Sequence, residues 1–238
     1  MRVLGVETST LTGAAALLEG DTVVAECRLN LAVTHSERLL PAIDHVLASA
    51  GRTLAEVDGL AVALGPGSFT GLRIGVSTMK SLAYAARKPL VGVPTLDALA
   101  WSLPFAAHPV CPILDAKKGE VYAALYRTDG GRLERLWDAR AVAPEALAAA
   151  LAGEMPGPVV FLGDGVAPFA PLLRRVLGAD ARFAPPAQRL PSAVTVAELG
   201  HAALERGESA DPATLVPLYL RRSEAELARE RQRVGPAR

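Results

Sequence analysis

The stretch Gly65-Pro66-Gly67-Ser68-Phe69-Thr70-Gly71-Leu72-Arg73 follows an apolar run, Gly59 to Leu64, and leads into a helical pattern from about Leu72 to Arg87. The run reads as a buried strand, so the stretch is a glycine turn joining a strand to a helix. Glycine tolerates positive φ and has no Cβ, which lets such a turn approach a ligand or another chain closely. At the positive end of the helix it also aims free backbone N–H groups at any anion in front of it. The stretch lacks the Gly-Lys-Ser/Thr ending of a P-loop and the spacing of a dinucleotide fingerprint. It marks an α/β chain without naming a ligand.

Upstream of the turn, Arg2 to Glu7 reads as a first strand ending in the polar turn Thr8-Ser9-Thr10. Ala14 to Leu18 and Thr22 to Leu29 supply two more strands around Glu19-Gly20-Asp21, a three-strand antiparallel meander. A helix follows around Glu37 to Ala50, and after the glycine turn and its helix a strand closes the set at Leu90 to Val93. The later strands are joined through helical crossovers. Further on the order partly repeats. Strands at Val110 to Leu114, Val121 to Tyr126 and Leu133 to Ala139 precede a helix near Pro144 to Leu151, a strand at Val159 to Leu162, the turn Gly163-Asp164-Gly165 and another helix. The same sequence of elements twice over suggests a duplicated fold. A helix from Ser192 to Glu205, a short apolar segment from Leu215 to Leu220 and a charged tail from Arg222 complete the chain.

With 238 residues, half of them hydrophobic, and a formal net charge of zero, the chain is long and apolar enough for real cores. The balanced charge argues against a general affinity for nucleic acid, which needs a clustered basic surface. Cys27 and Cys111 stand far apart in apolar surroundings and suggest neither a disulfide framework nor a metal knot. The chain opens directly on a strand, with no leader and no apolar run long enough for a bilayer, so a reduced, cytoplasmic setting without a membrane is expected.

Two helices carry more apolar surface than one sheet can cover. In the helix after the turn, Leu72, Val76, Met79 and Ala83 form one stripe, and Ile74, Thr78 and Leu82 a second. Lys80 is its only charge between Arg73 and Arg87. The earlier helix shows a similar excess at Leu39, Ile43, Val46, Leu47 and Ala50, with Leu40 outside that face. Thr34 and Glu37 have capping-box spacing, yet Pro41 would then sit deep, so this helix starts later or bends. Either the second half of the chain covers both helices or a protein partner, identical or not, does; the partner is the sharper reading. Leu39, Ile43, Leu72, Val76, Met79 and Ala83 are the expected interface residues.

Catalytic equipment is thin. Glu7, Thr8 and Ser9 at a strand's C-terminal end suit a phosphate or magnesium site, or equally a hairpin cap. The histidines His35, His45, His108 and His201 include no pair at ligand spacing on one helix face, and there is no H-E-x-x-H. Asp115 with Lys117, Lys118 and Glu120 reads as a solvated turn.

Four stretches together closely resemble the TsaB family of bacterial tRNA threonylcarbamoyladenosine (t6A) biosynthesis proteins. They are Val3 to Ser9, His35-Ser36-Glu37, the glycine turn through Arg73, and Asp115-Ala116-Lys117-Lys118-Gly119-Glu120-Val121-Tyr122. The likeness is strong in the N-terminal half and looser down to Pro217-Leu218-Tyr219-Leu220-Arg221. It implies an actin/hexokinase/Hsp70-like (ASKHA) fold of two related mixed-sheet lobes flanked by helices. Residues 1–103 would form the N-terminal lobe with the glycine turn and dimerisation helices. Residues 104–221 would form a smaller lobe whose last segment can pack back on the first, and residues 222–238 a charged tail.

The resemblance also implies a catalytic relative, TsaD, which transfers threonylcarbamoyl to tRNA adenosine and carries N-H-L-E-G-H with two metal-holding histidines. Here the matching segment is Pro94-Thr95-Leu96-Asp97-Ala98-Leu99, with Thr95 and Leu99 where those histidines would stand, and leucine cannot ligate a metal. Glu7, Thr8, Gly65, Gly67, Ser68 and Gly71 then form a degenerate nucleotide-site motif. The expectation is a non-catalytic scaffold, with no catalytic or metal-binding residues and no cofactor of its own. It would bind a TsaD-like transferase through its first two helices, homodimerise when alone, join a TsaE-like ATPase in a larger complex, and meet tRNA only indirectly. ATP or ADP and metal would belong to the partner subunits. The rival is an ATP-dependent phosphoryl or acyl transferase using Glu7, Thr8 and the turn; a direct tRNA reader using Arg221, Arg222 and the tail is disfavoured by the neutral charge.

Overall fold

A computed structural model of the chain describes residues 1–30 and 35–221. Thr34 of the expected capping box and the charged tail lie outside the described residues. Strands β1 (Arg2–Glu7), β2 (Thr12–Glu19), β3 (Thr22–Asn30), β4 (Gly59–Gly65) and β5 (Leu90–Pro94) form one sheet in the order β3-β2-β1-β4-β5. Strands β6 (Val110–Lys117), β7 (Glu120–Asp129), β8 (Arg132–Val142), β9 (Val159–Leu162) and β10 (Ala181–Phe183) form the second, in the order β10-β9-β6-β7-β8. Each sheet is a meander of three antiparallel strands extended by two parallel ones. Read from the meander edge, both follow third-second-first-fourth-fifth, so the repeat of elements along the chain is a repeat in space.

Strands covered on both faces must be apolar throughout, and β1 is: Leu4 and Val6 face one core while Val3 faces another. On the first of these faces lie helices α1 (His35–Ser49) and α2 (Phe69–Ala86). Helix α1 begins at His35 and runs through Pro41. The opposite face is covered by α6 (Ala193–Glu205), whose Val196, Ala197 and Ala203 meet Val3, Ala61 and Val91. The approach is close because a side chain on Gly5 would collide with Ala193 O. The second sheet carries α4 (Pro144–Glu154) and α5 (Val166–Leu177) on one face, and on the other the short α3 (Thr95–Trp101).

The chain therefore crosses over twice. Helix α3 follows a strand of the first sheet yet lies on the second through Leu96, Leu99 and Ala100, whereas α6 follows the second sheet and lies on the first. A boundary at residue 103 separates α6 from the sheet it covers.

Candidate functional site

The end of β1 and the turn between β4 and α2 lie against each other. Thr8 Oγ1 donates to Gly71 O at 2.9 Å, and Ser68 N donates to Ser9 O at 2.6 Å. Ser68 Oγ accepts from Gly71 N at 3.3 Å and so caps α2. A Cβ on Gly67 would strike Ser9 O, and one on Gly75 would strike Thr8 Oγ1. The six residues of the expected nucleotide motif (Glu7, Thr8, Gly65, Gly67, Ser68 and Gly71) are thus brought together, but by contacts within the chain.

Glu7 lies behind this turn, completely buried. Its Oε1 accepts from Ser9 N, and its Oε2 has no hydrogen-bond partner. Burial pushes the carboxyl up to about 7, and the charge of Asp164 adds to the shift. Asp164, after β9, is itself raised by burial while its Oδ1 accepts from Asp115 N at 2.9 Å. Asp115 in turn accepts from the Lys117 ammonium at 2.9 Å. A phosphate needs free amides or cations. Here Ser68 N and Gly71 N are already engaged within the chain, so these two amides are not available to a phosphate.

The expected interface residues require a correction. Leu39 and Ile43 are 4% exposed, Val76 3%, Ala83 1%, and Leu72 and Met79 not at all. Five of the six, with Val46, Leu47, Leu60 and Val62, belong to one core between the helices and the first sheet. Side chains enclosed by their own chain cannot also form a contact surface. The second stripe of α2 is half-covered, partly by the segment 211–219: Lys80 Nζ donates to Ala213 O at 3.2 Å and to Leu215 O at 2.9 Å. Tyr219 lies 4.9 Å from Phe69 between ring centres, and its hydroxyl accepts from Arg73 Nε at 3.2 Å. Leu218 N donates to Leu64 O at 2.8 Å. What the two helices leave outward includes Leu40 at 53% and Tyr84 at 83% exposure, with Pro41, His45, Ser77, Ser81 and Ala85, and the charged Glu37, Asp44 and Arg73.

Thr95 and Leu99, at the start of α3 and within it, have structural tasks. Thr95 Oγ1 accepts from Gly65 N at 3.1 Å, and Leu99 is buried among Leu96, Leu114 and Tyr126. Between them in sequence, Asp97 accepts from Tyr126 Oη at 2.6 Å and from Arg135 Nη2 at 2.7 and 2.9 Å, fastening α3 to the second sheet. Sequence reasoning missed this trio, since only the fold brings its members together. Among the described residues, no group of three His, Cys, Asp or Glu side chains is placed to hold a metal ion, and no helix is long and apolar enough to cross a membrane.

Two like sheets in this order, with crossing helices between them, define a protein of the actin/hexokinase-like (ASKHA) class. The ROK hexokinase of Thermus thermophilus, 14% identical, superposes with a TM-score of 0.50 over 87% of this chain and all of that one, a likeness of fold alone. The family model described as TsaD, tRNA N6-adenosine threonylcarbamoyltransferase, matches residues 30–229. The tRNA threonylcarbamoyladenosine biosynthesis protein TsaB of Bacillus subtilis is 36% identical over 227 residues, which is 95% of this chain and 96% of that protein. The solved structure titled YeaZ from Pseudomonas aeruginosa, 28% identical, gives a TM-score of 0.79 over 92% of this chain and 99% of that one. This chain belongs to the TsaB family.

Proposed function

We propose that the chain serves t6A modification of tRNA as a non-catalytic subunit that docks a TsaD-like transferase through the outward face of α1 and α2. One observation carries the docking face. Across its 18 residues α2 carries two charges, Arg73 near its start, whose Nε donates to Tyr219 Oη, and Lys80, whose ammonium is turned onto the carbonyls of Ala213 and Leu215. A surface helix usually presents a charged side to water. Beyond Arg73 the outward positions of α2, Ser77, Ser81, Tyr84 and Ala85, are small or apolar and lie on the same side as exposed Leu40, which suits a helix laid against helices of another protein.

The non-catalytic part is supported by residues that have become structural. Thr95 is held by Gly65 N, Leu99 is core, and the amides of Ser68 and Gly71 serve their own chain. On this reading ATP or ADP and metal are handled by the partner subunits, a TsaE-like ATPase joins the larger complex, tRNA is met indirectly, and the same face pairs two copies when the transferase is absent. Reconstituting the modification with TsaD-like and TsaE-like subunits tests this: t6A forms only when this chain is added. Turnover of Mg-ATP by the isolated chain would instead favour the transferase reading built on Glu7, Thr8 and the turn.

A further inference from the structure

A cleft of about 1000 Å³ opens on the side of the molecule where the β2–β3 hairpin, the end of α3, the β7–β8 turn and α6 come together. It is distinct from the face of α1 and α2 and from the glycine turn. Its walls carry two aromatic rings, Trp101 and Phe105, and four carboxylates, Asp21, Glu26, Glu198 and Glu205. Against these stand Arg28, whose Nε and Nη2 donate to Glu26 Oε1 at 3.2 and 2.9 Å, and His201, whose Nε2 lies 3.7 Å from Glu205 Oε1, so carboxylates outnumber cationic groups in the wall.

The aromatic groups are placed in an unusual way. Phe105 is 81% exposed, an unfavourable position for a phenyl ring in water. A Cβ on Gly130 would lie 3.4 Å from its Cε1, so the ring rests on the backbone of the β7–β8 turn and stays open on the other side. Trp101 Nε1 donates to Glu198 Oε2 at 2.9 Å, which fixes both an indole and a carboxylate in the wall. An exposed ring face and carboxylates lining the same cleft attract an organic cation by quadrupole and by charge together. An anion, nucleic acid included, is repelled by the same excess of carboxylates. The cleft is at the upper end of the size of ligand pockets, which suits an extended segment better than a small enclosed cation.

We propose that this cleft binds an extended peptide segment of another protein through an arginine side chain stacked on Phe105 and paired with the wall carboxylates. In a Trp137→Phe background Trp101 is the sole tryptophan, and its emission reports on the cleft. The probe is a capped heptapeptide with two arginines, compared with the same peptide carrying citrulline, which keeps the shape and loses the charge. The expected result is saturable binding that is at least fivefold weaker for citrulline. It should weaken at least fivefold in Phe105→Ala and in Glu205→Gln, two exposed positions where circular dichroism confirms an unchanged fold. Binding that is not saturable, that is equal for the citrulline peptide, or that is unmoved by both variants overturns the proposal. So does tighter binding of spermidine than of the arginine peptide, which would make the ligand a free polyamine.

Discussion

Burial with one oxygen unpaired pushes the Glu7 carboxyl up from its ordinary 4.5 to about 7. Below about pH 4.5 the group is protonated in the folded and the unfolded chain alike. As the pH rises, the unfolded chain releases its proton first, so stability that is full in acid is lost up to and through the folded value. The loss approaches roughly 3 kcal/mol by pH 8. Glu7→Gln cannot ionise. Urea titrations should therefore show the variant gaining about that amount on the wild type between pH 4.5 and pH 8; a constant difference would contradict it. Val76 makes the complementary point. Its side chain is 3% exposed within the core, so Val76→Asp should cost about 3–5 kcal/mol of fold stability. Thermal melting measures that directly, and a variant melting like the wild type would contradict the core placement.

At the scale of elements, the segment 211–219 acts as a strap along α2 and the end of β4. Lys80→Met keeps the stem and removes both donors to the strap, so it should cost about 1–2 kcal/mol. Hydrogen exchange at Leu218 N, which donates to Leu64 O, should quicken in this variant; unchanged exchange would show that Lys80 does not hold the strap. Elements with a strong pattern are legible in the sequence: the continuous apolar runs of β2 and β7, and the spaced stripes of α2, fall within a few residues of their observed ends. Helix α3 is not legible, because seven residues with five of them buried show no polar face against which to read a period. Strand β10 is missed for its three residues. The stripe of Leu72, Val76, Met79 and Ala83 teaches a different lesson. Spacing tells that a stripe is covered, but whether by sheet or by partner is a tertiary fact.

For the whole molecule, the repeat of β-meander, helix, strand, glycine turn and helix is visible in chain order, and the two sheets share it in space. The exchange of α3 and α6 between the sheets is not visible, since nothing in Ala193 to Glu205 says which sheet its small residues will meet. At the candidate site, the assembly of Glu7, Thr8 and the glycine turn can be read from the sequence, whereas the engagement of their amides cannot. The account rests on the outward face of α1 and α2, where Leu40 and Tyr84 are exposed and stability should not depend on them. The deciding measurement is the affinity of this chain for a TsaD-like transferase, by sedimentation or calorimetry, for wild type and for the double variant Leu40→Asp, Tyr84→Asp. The account predicts affinity at least tenfold weaker, equivalent to about 1.4 kcal/mol or more, with an unchanged melting midpoint. Equal affinity in the two proteins would contradict it.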